Sequence, residues 1–183
     1  MALLQEIVSY CDKTLRTAEI GDWDNALNGL QIENSGKISK LGAAVDASTR
    51  TLTLAAEAGV DFLLVHHGLY WQGLQPVIGI LRRQLRVAFD HDVAVYSAHL
   101  PLDVHPVFGN NAQLAAAIGL RSTTPFLEER GELTGLKAQT ARSRRDLLAK
   151  LKRSLGGDIR SFNFGPHKTA VIGIVTGAGG SEI

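Results

Sequence analysis

The sequence predicts an α/β fold: a largely parallel or mixed sheet flanked by helices. Three observations predict it. Short apolar runs alternate with stretches of helical periodicity in a β-α-β-α-β order. Of the 183 residues, 45% are hydrophobic and 20% charged, a globular profile too apolar for disorder. That length suits one domain, or one and a half, at roughly 150 residues per domain.

Leu3, Leu4, Ile7, Val8, Cys11 and Leu15 recur at helical spacing, so the chain opens with an amphipathic helix ending near Thr17. The stretch GDWDNALNGLQIENSG, crowded with Asn, Asp and Gly, reads as irregular. Leu41–Val45 is a strand, Ser48 or Thr49 a helix cap, and Leu52–Ala58 the helix it starts, closed by Gly59. Phe62–Val65 is a second strand, Ile80–Asp90 a helix and Val93–Ser97 a third strand. Asn111–Ile118 is a helix closed by Gly119. Right-handed crossovers then give a largely parallel sheet.

Beyond Pro125 the texture changes, which divides the chain into residues 1–124 and the start of a second α/β portion at 125–183. Leu133–Thr140 and Thr169–Val175 read as strands. Ser143–Leu155 reads as a helix capped by Ser143 and ended by Gly156-Gly157. The last strand runs into Gly177-Ala178-Gly179-Gly180, and Ser181 and Glu182 look like a helix start. An ending of this kind predicts a piece of a longer polypeptide or the product of a shortened gene. The glycines suit a phosphate cradle, but no Lys-Ser/Thr follows them, so a plain turn is expected.

Composition narrows the function classes. No apolar run approaches the about 18 residues of a membrane span, and Glu6 and Asp12 interrupt any signal-peptide core. A single cysteine, Cys11, excludes an internal disulfide and suits a reducing, cytoplasmic compartment. Nineteen basic against eighteen acidic residues leave a formal charge of +1, so no nucleic-acid partner is expected from net charge. A basic run from Lys137 to Arg153 reads first as a solvated helix face; the weaker reading is a nucleic-acid-binding stripe with strongly salt-dependent affinity.

Two clusters carry chemistry. Val65-His66-His67-Gly68 directly follows the second predicted strand, and His99-Leu100-Pro101-Leu102-Asp103-Val104-His105 the third. Ligands of open α/β sheets bind beyond the carboxyl ends of strands, and both clusters fall there. Imidazole and carboxylate together suit zinc, iron, manganese or nickel. Neighbouring side chains in an extended backbone point to opposite sides, so His66 and His67 are expected to serve two adjacent metals, with Asp103 as a bridge. The bland alternatives are hydrogen-bonded structural histidines and turn chemistry at Asp103. His91 reads as a surface residue at a helix end, and His167 receives no role.

At these clusters the sequence closely resembles the Nif-three-like family of dinuclear-metal proteins, also described as GTP cyclohydrolase type-two homologues. The residues that carry the likeness are Asn28-Gly29-Leu30-Gln31, Val65-His66-His67-Gly68, His99-Leu100-Pro101-Leu102-Asp103 and Gly109-Asn110-Asn111. The resemblance implies two divalent metal ions per chain, His66 and His67 ligating separate ions and Asp103 contributing a carboxylate. His99 would line the site as a proton carrier or outer-shell partner. It also implies ring-shaped homo-hexamers. The family draws a further His and Glu from a later segment that this sequence does not contain, and His167 and Glu182 do not match that motif.

The expected function is therefore a metal-dependent hydrolase of a nucleotide-like or other small molecule. The alternative is a non-enzymatic, metal-stabilised oligomeric scaffold, with Leu69-Tyr70-Trp71 as interface patch or lid.

Overall fold

The structure is a computed structural model that describes residues 1–177. The glycine-rich ending from Ala178 onward, and with it the expected helix start at Ser181, lies outside the described residues. Contacts divide the chain into two compact units, Met1–Leu102 and Asp103–Ile183.

The first unit is a mixed sheet covered on both faces. Strands β1 (Ala2–Leu3) and β3 (Lys37–Ile38) form a small antiparallel pair that frames α1 (Leu4–Leu15). The main sheet contains β2 (Gly29–Ile32), β4 (Leu41–Asp46), β5 (Phe62–His67) and β6 (Ala94–Ser97), in the order β2-β6-β5-β4. The β4, β5 and β6 strands are parallel and are joined through α2 (Thr49–Glu57) and α3 (Gly79–Asp90). Ser48 caps α2 as expected, its Oγ accepting from the Thr51 amide at 3.1 Å.

Alternation along the strands sorts the core into two layers. Leu63, Val65, Val93 and Val95 pack on one side with Leu52, Ala55, Leu81 and Ala88 of the two crossover helices. Phe62, Ala94 and Tyr96 pack on the other with Leu4 and Leu15 of α1. The Tyr96 hydroxyl, fully buried, donates to Asp12 Oδ1 at 2.7 Å, and Thr17 Oγ1 donates to the same oxygen at 3.0 Å. Burial, and then the bond to Asp12, push the Tyr96 hydroxyl pKa far up.

Two expectations change. The stretch read as irregular contains β2, antiparallel to β6, which makes the sheet mixed. Four residues among turn formers carry too little periodicity to announce a strand whose partner is remote in sequence. The second strand also runs two residues further than expected, so His66 and His67 are its last residues and do not follow it.

A single helical turn, α4 (Leu100–Asp103), leads to the second unit. That unit packs α5 (Asn110–Ala117) and α6 (Arg144–Leu155) on an antiparallel sheet of β7 (Thr124–Glu129), β8 (Glu132–Gln139) and β9 (Val171–Ile174). Its core gathers Ala115, Ile118, Leu120, Ala138 and Ile174. The texture change at Pro125 marks β7, a strand the periodicity did not announce because Pro125 interrupts it. The residue is tolerated because β7 is an edge strand. Arg130 and Gly131, at φ of 55° and 83°, close the β7–β8 hairpin in the doubly left-handed conformation that tight hairpins favour. The α6 helix starts at Ser143 and ends at Gly156, both as expected.

Candidate metal centre

The carboxyl ends of β5 and β6 present three imidazoles together. His66 and His67 end β5, and His99 follows β6 by two residues. Each can offer one ring nitrogen such that the three nitrogens lie within 4.8 Å of one another. The ring centroids are 4.7 Å apart for His66 and His67, and 4.8 Å for His66 and His99. The two rings lie close although the pleat alternates their Cβ directions, since both residues occupy the last two positions of the strand.

All three rings are held by Nδ1. His66 Nδ1 lies 3.0 Å from the carbonyl oxygen of Ala98, His67 Nδ1 2.7 Å from Asp46 Oδ1, and His99 Nδ1 2.9 Å from Asp22 Oδ1. Carbonyl and carboxylate oxygens only accept, so each Nδ1 donates, and each neutral ring then carries its lone pair on Nε2. Outer partners of this kind fix tautomer and orientation in metal-ligating histidines. The donor set fits a borderline divalent cation. Three histidines that can bind a metal ion are thus a property of this fold.

Asp22 and Asp46 are not among the site residues expected from the sequence. Asp22 sits in the stretch read as irregular, yet its side chain is only 6% exposed. Oδ2 accepts from Asn28 Nδ2 at 2.7 Å and from the Leu100 amide at 2.9 Å. Burial pushes this carboxyl up, but the bonds from His99, Asn28, Trp23 and Leu100 outweigh it and hold the group below its ordinary value. No sequence signal marks Asp22 beyond its place in an Asn/Asp-rich loop, whereas Asp46 could be found as the residue ending the strand next to the His-His strand.

The motif Asn28-Gly29-Leu30-Gln31 serves the same centre from beneath. Asn28 Oδ1 accepts from the His99 amide at 2.7 Å while its Nδ2 grips Asp22. Gln31 Oε1 accepts from the Leu69 amide at 2.7 Å, and its Nε2 donates to the Leu27 carbonyl at 2.9 Å. A Cβ at Gly68 would collide with the Gln31 amide, which explains the glycine after the two histidines.

Leu69 is buried, whereas Trp71 stands edge-on to His99 with centroids 4.5 Å apart and lies 5.3 Å from His67. Asn25 Nδ2 holds the Trp71 carbonyl. Beside His67 a cleft of about 310 Å³ opens among Asp46, Ser48, Trp71, Gln72 and Gln84.

Asp103, the first residue of the second unit, ends α4, and Asn110 Nδ2 donates to its Oδ1 at 2.6 Å. Asn110 thus gives Gly109-Asn110-Asn111 a purpose, and buried Asn111 donates to the Thr134 carbonyl and ties α5 to β8. His105 is held differently: its Nδ1 accepts the Val107 and Phe108 amides at 3.1 and 2.9 Å, so its neutral ring carries the proton on Nε2.

An α/β sheet whose strand ends offer three clustered, oriented histidines defines a class of protein that could bind a metal ion there, and comparison with known proteins makes it particular. The family described as Duf34/NIF3 (NGG1p interacting factor 3) matches residues 2–183, and the chain belongs to that family. It is 44% identical over 133 residues to a GTP cyclohydrolase 1 type 2 homolog of Treponema pallidum, covering 72% of this chain and 46% of the relative. It is 36% identical over 181 residues to the homolog of the same description in Deinococcus radiodurans, covering 97% and 68%. The chain thus spans about half the length of the first relative and about two thirds of the second. Among solved structures, TTHA1606 from Thermus thermophilus superposes with a TM-score of 0.89 at 34% identity, covering 98% of this chain and 72% of that one. Reduced HcgD from Methanocaldococcus jannaschii superposes with a TM-score of 0.71 at 29% identity, covering 82% and 59%. None of the described helices is long and apolar enough to cross a membrane.

Proposed function

We propose that the chain is the metal-binding part of a metal-dependent hydrolase acting on a nucleotide-like or other small molecule. What supports this reading is the shared orientation of His66, His67 and His99, each donating through Nδ1 to an acceptor of the protein. In this reading His66 and His67 hold two divalent ions, zinc, iron, manganese or nickel, and Asp103 supplies a carboxylate ligand on the strength of the family likeness. Bound ions would supply Lewis acidity and a more acidic water.

His99 moves the proton. The buried Asp22 carboxylate accepts from its Nδ1 and so leaves the Nε2 lone pair turned to the site as proton acceptor, the division of labour of an Asp–His pair. Asn28 fixes both partners, and Trp71 excludes water from one side of the His99 ring. The cleft beside His67 has room for a small substrate.

Metal content per chain, measured by elemental mass spectrometry on purified protein and on His66→Ala and His67→Ala variants, tests the reading. A ratio near two that falls in each variant supports it, and a ratio near zero overturns it. A screen of phosphorylated and cyclic small molecules then asks for hydrolysis that disappears with His99→Ala.

The second reading is a metal-stabilised homo-oligomer, a hexamer, that binds partners without turnover. Exposed Leu74, Val77 and Ile78 on the loop before α3 favour self-association. Light scattering with and without chelator measures it: a metal-independent hexamer lacking turnover supports this reading, and a monomer removes it.

A further inference from the structure

The near-neutral net charge conceals an uneven distribution. Residues 1–102 carry eight basic and eleven acidic side chains, whereas residues 103–183 carry eleven basic and seven acidic. Most of the surplus lies between Arg142 and Lys168, where eight basic side chains face only Asp146 and Asp158. Arg145, Lys152, Arg153, Arg160 and Lys168 are exposed, as a solvated helix face would leave them.

A solvated face does not explain the two phenylalanines. Phe162 and Phe164, in the loop between α6 and β9, are 80% and 86% exposed, and no described residue buries either ring. The loop has local order: the Phe164 amide donates to the Phe162 carbonyl at 3.0 Å, a tight turn at Asn163. It is also tied to the start of α6. Arg144 Nη1 donates to the Phe164 carbonyl at 2.9 Å, the Arg144 amide donates to the His167 carbonyl at 2.9 Å, and Ser143 pairs with Lys168 as an antiparallel bridge. These bonds bring the Phe164 backbone and Lys168 beside the first residues of α6, next to Arg145.

We infer that this loop and the start of α6 form a binding surface for single-stranded nucleic acid, with Phe162 and Phe164 as stacking platforms and Arg145, Arg160 and Lys168 as phosphate contacts. Exposed rings set among cations are what an unstacked strand needs, since every base has a face to stack and every nucleotide a charge to neutralise. A duplex hides its base faces and would leave the rings without a role. An anionic membrane also attracts cations and rings, but here Ser161 and Asn163 alternate with the phenylalanines. The Ser161 hydroxyl donates to Asn163 Oδ1 at 2.7 Å, which keeps polar groups between the rings and breaks any continuous apolar surface.

Fluorescence anisotropy with a labelled fifteen-residue oligo-dT, titrated at several salt concentrations, tests the inference. Affinity is expected to fall linearly with salt on logarithmic axes. The double variant Phe162→Ala/Phe164→Ala should weaken binding by about 30-fold or more. Arg160→Ala/Lys168→Ala should flatten the salt slope by about 1.4. All four side chains are exposed, so the variants are expected to fold as the parent does. The inference is overturned by absence of binding at low salt, or by binding that the phenylalanine variant leaves unchanged. Tighter binding to phosphatidylserine vesicles than to the oligonucleotide would also overturn it, as would rings that prove to be covered by a second copy in sedimentation.

Discussion

The Asp22 carboxylate organises four donors with two oxygens: the His99 ring, the Asn28 amide, and the backbone amides of Trp23 and Leu100. Replacing it by asparagine sets an NH₂ group against donors and removes a charge-assisted bond to His99. Asp22→Asn is expected to destabilise the first unit by about 1.5–3 kcal/mol and to lower metal affinity about 10- to 100-fold. Urea denaturation and metal titration measure the two effects separately. Gly68 is a steric counterpart, because a methyl group there must displace the Gln31 amide that holds the Leu69 amide. Gly68→Ala should weaken metal binding with little change in helix content, and unchanged affinity would show that the Gln31 clamp is dispensable. Neither role is written in the residue type. Asp22 reads as one more loop acid, and Gln31 stands in a family motif without a stated role, until the fold brings His99 and Leu69 to them.

At the scale of elements, the start of α2 adjoins the site: the Ala47 amide donates to the His67 carbonyl at 2.9 Å, and Ser48 begins the helix one residue later. Ser48→Ala should cost about 1 kcal/mol in thermal or urea unfolding. At the opposite end of the same strand, Asp61 connects β5 to the start of β4. It accepts from the Ser39 amide and hydroxyl at 2.8 and 2.6 Å and from the Lys40 amide at 2.9 Å. Burial pushes this carboxyl up, and those bonds outweigh burial and hold it below its ordinary value. The folded state therefore binds the proton less readily than the unfolded chain. Its contribution is present above the ordinary carboxylate pKa of about 3.9 and is lost as pH falls through the lower folded value. Unfolding midpoints measured down the acid range should fall for the parent and fall less steeply for Asp61→Asn. The α1, α2, α3, α5 and α6 helices and the three parallel strands were legible from their own apolar patterns, with serine caps marking α2 and α6 as well. The β2 and β7 strands were not, because four residues in a polar loop and a strand holding Pro125 gain their identity from a partner strand.

For the whole molecule, an ion that binds the folded chain and not the unfolded one adds stability by mass action, about 2.7 kcal/mol at a hundredfold excess over Kd. Titrating zinc or manganese into chelator-treated protein should raise the melting temperature progressively, and His67→Ala should abolish most of the rise. An equal rise in that variant would place the ion elsewhere. The family likeness is legible in the residues alone, since His66-His67-Gly68 and His99-Leu100-Pro101-Leu102-Asp103 stand as contiguous words. Asp22, Asp46, Asn28 and Gln31 support them from far along the chain, and no spacing rule connects a residue to a ring 77 positions away.

What a one-dimensional string can hold is local: hydrophobic period, cap, turn former, and adjacent histidines at the end of an apolar run. From these follow the fold class, the strands that carry the site and the chemistry its donors suit. What awaited the folded chain is relational. The pleat alternates the directions of His66 and His67, yet at the strand end both rings lie near His99, with centroids 4.8 and 5.6 Å away, because backbone parity sets the direction of Cβ and packing sets where a long side chain ends. The proton positions on the three rings were decided the same way, by a carbonyl and two carboxylates that tertiary contacts placed against Nδ1.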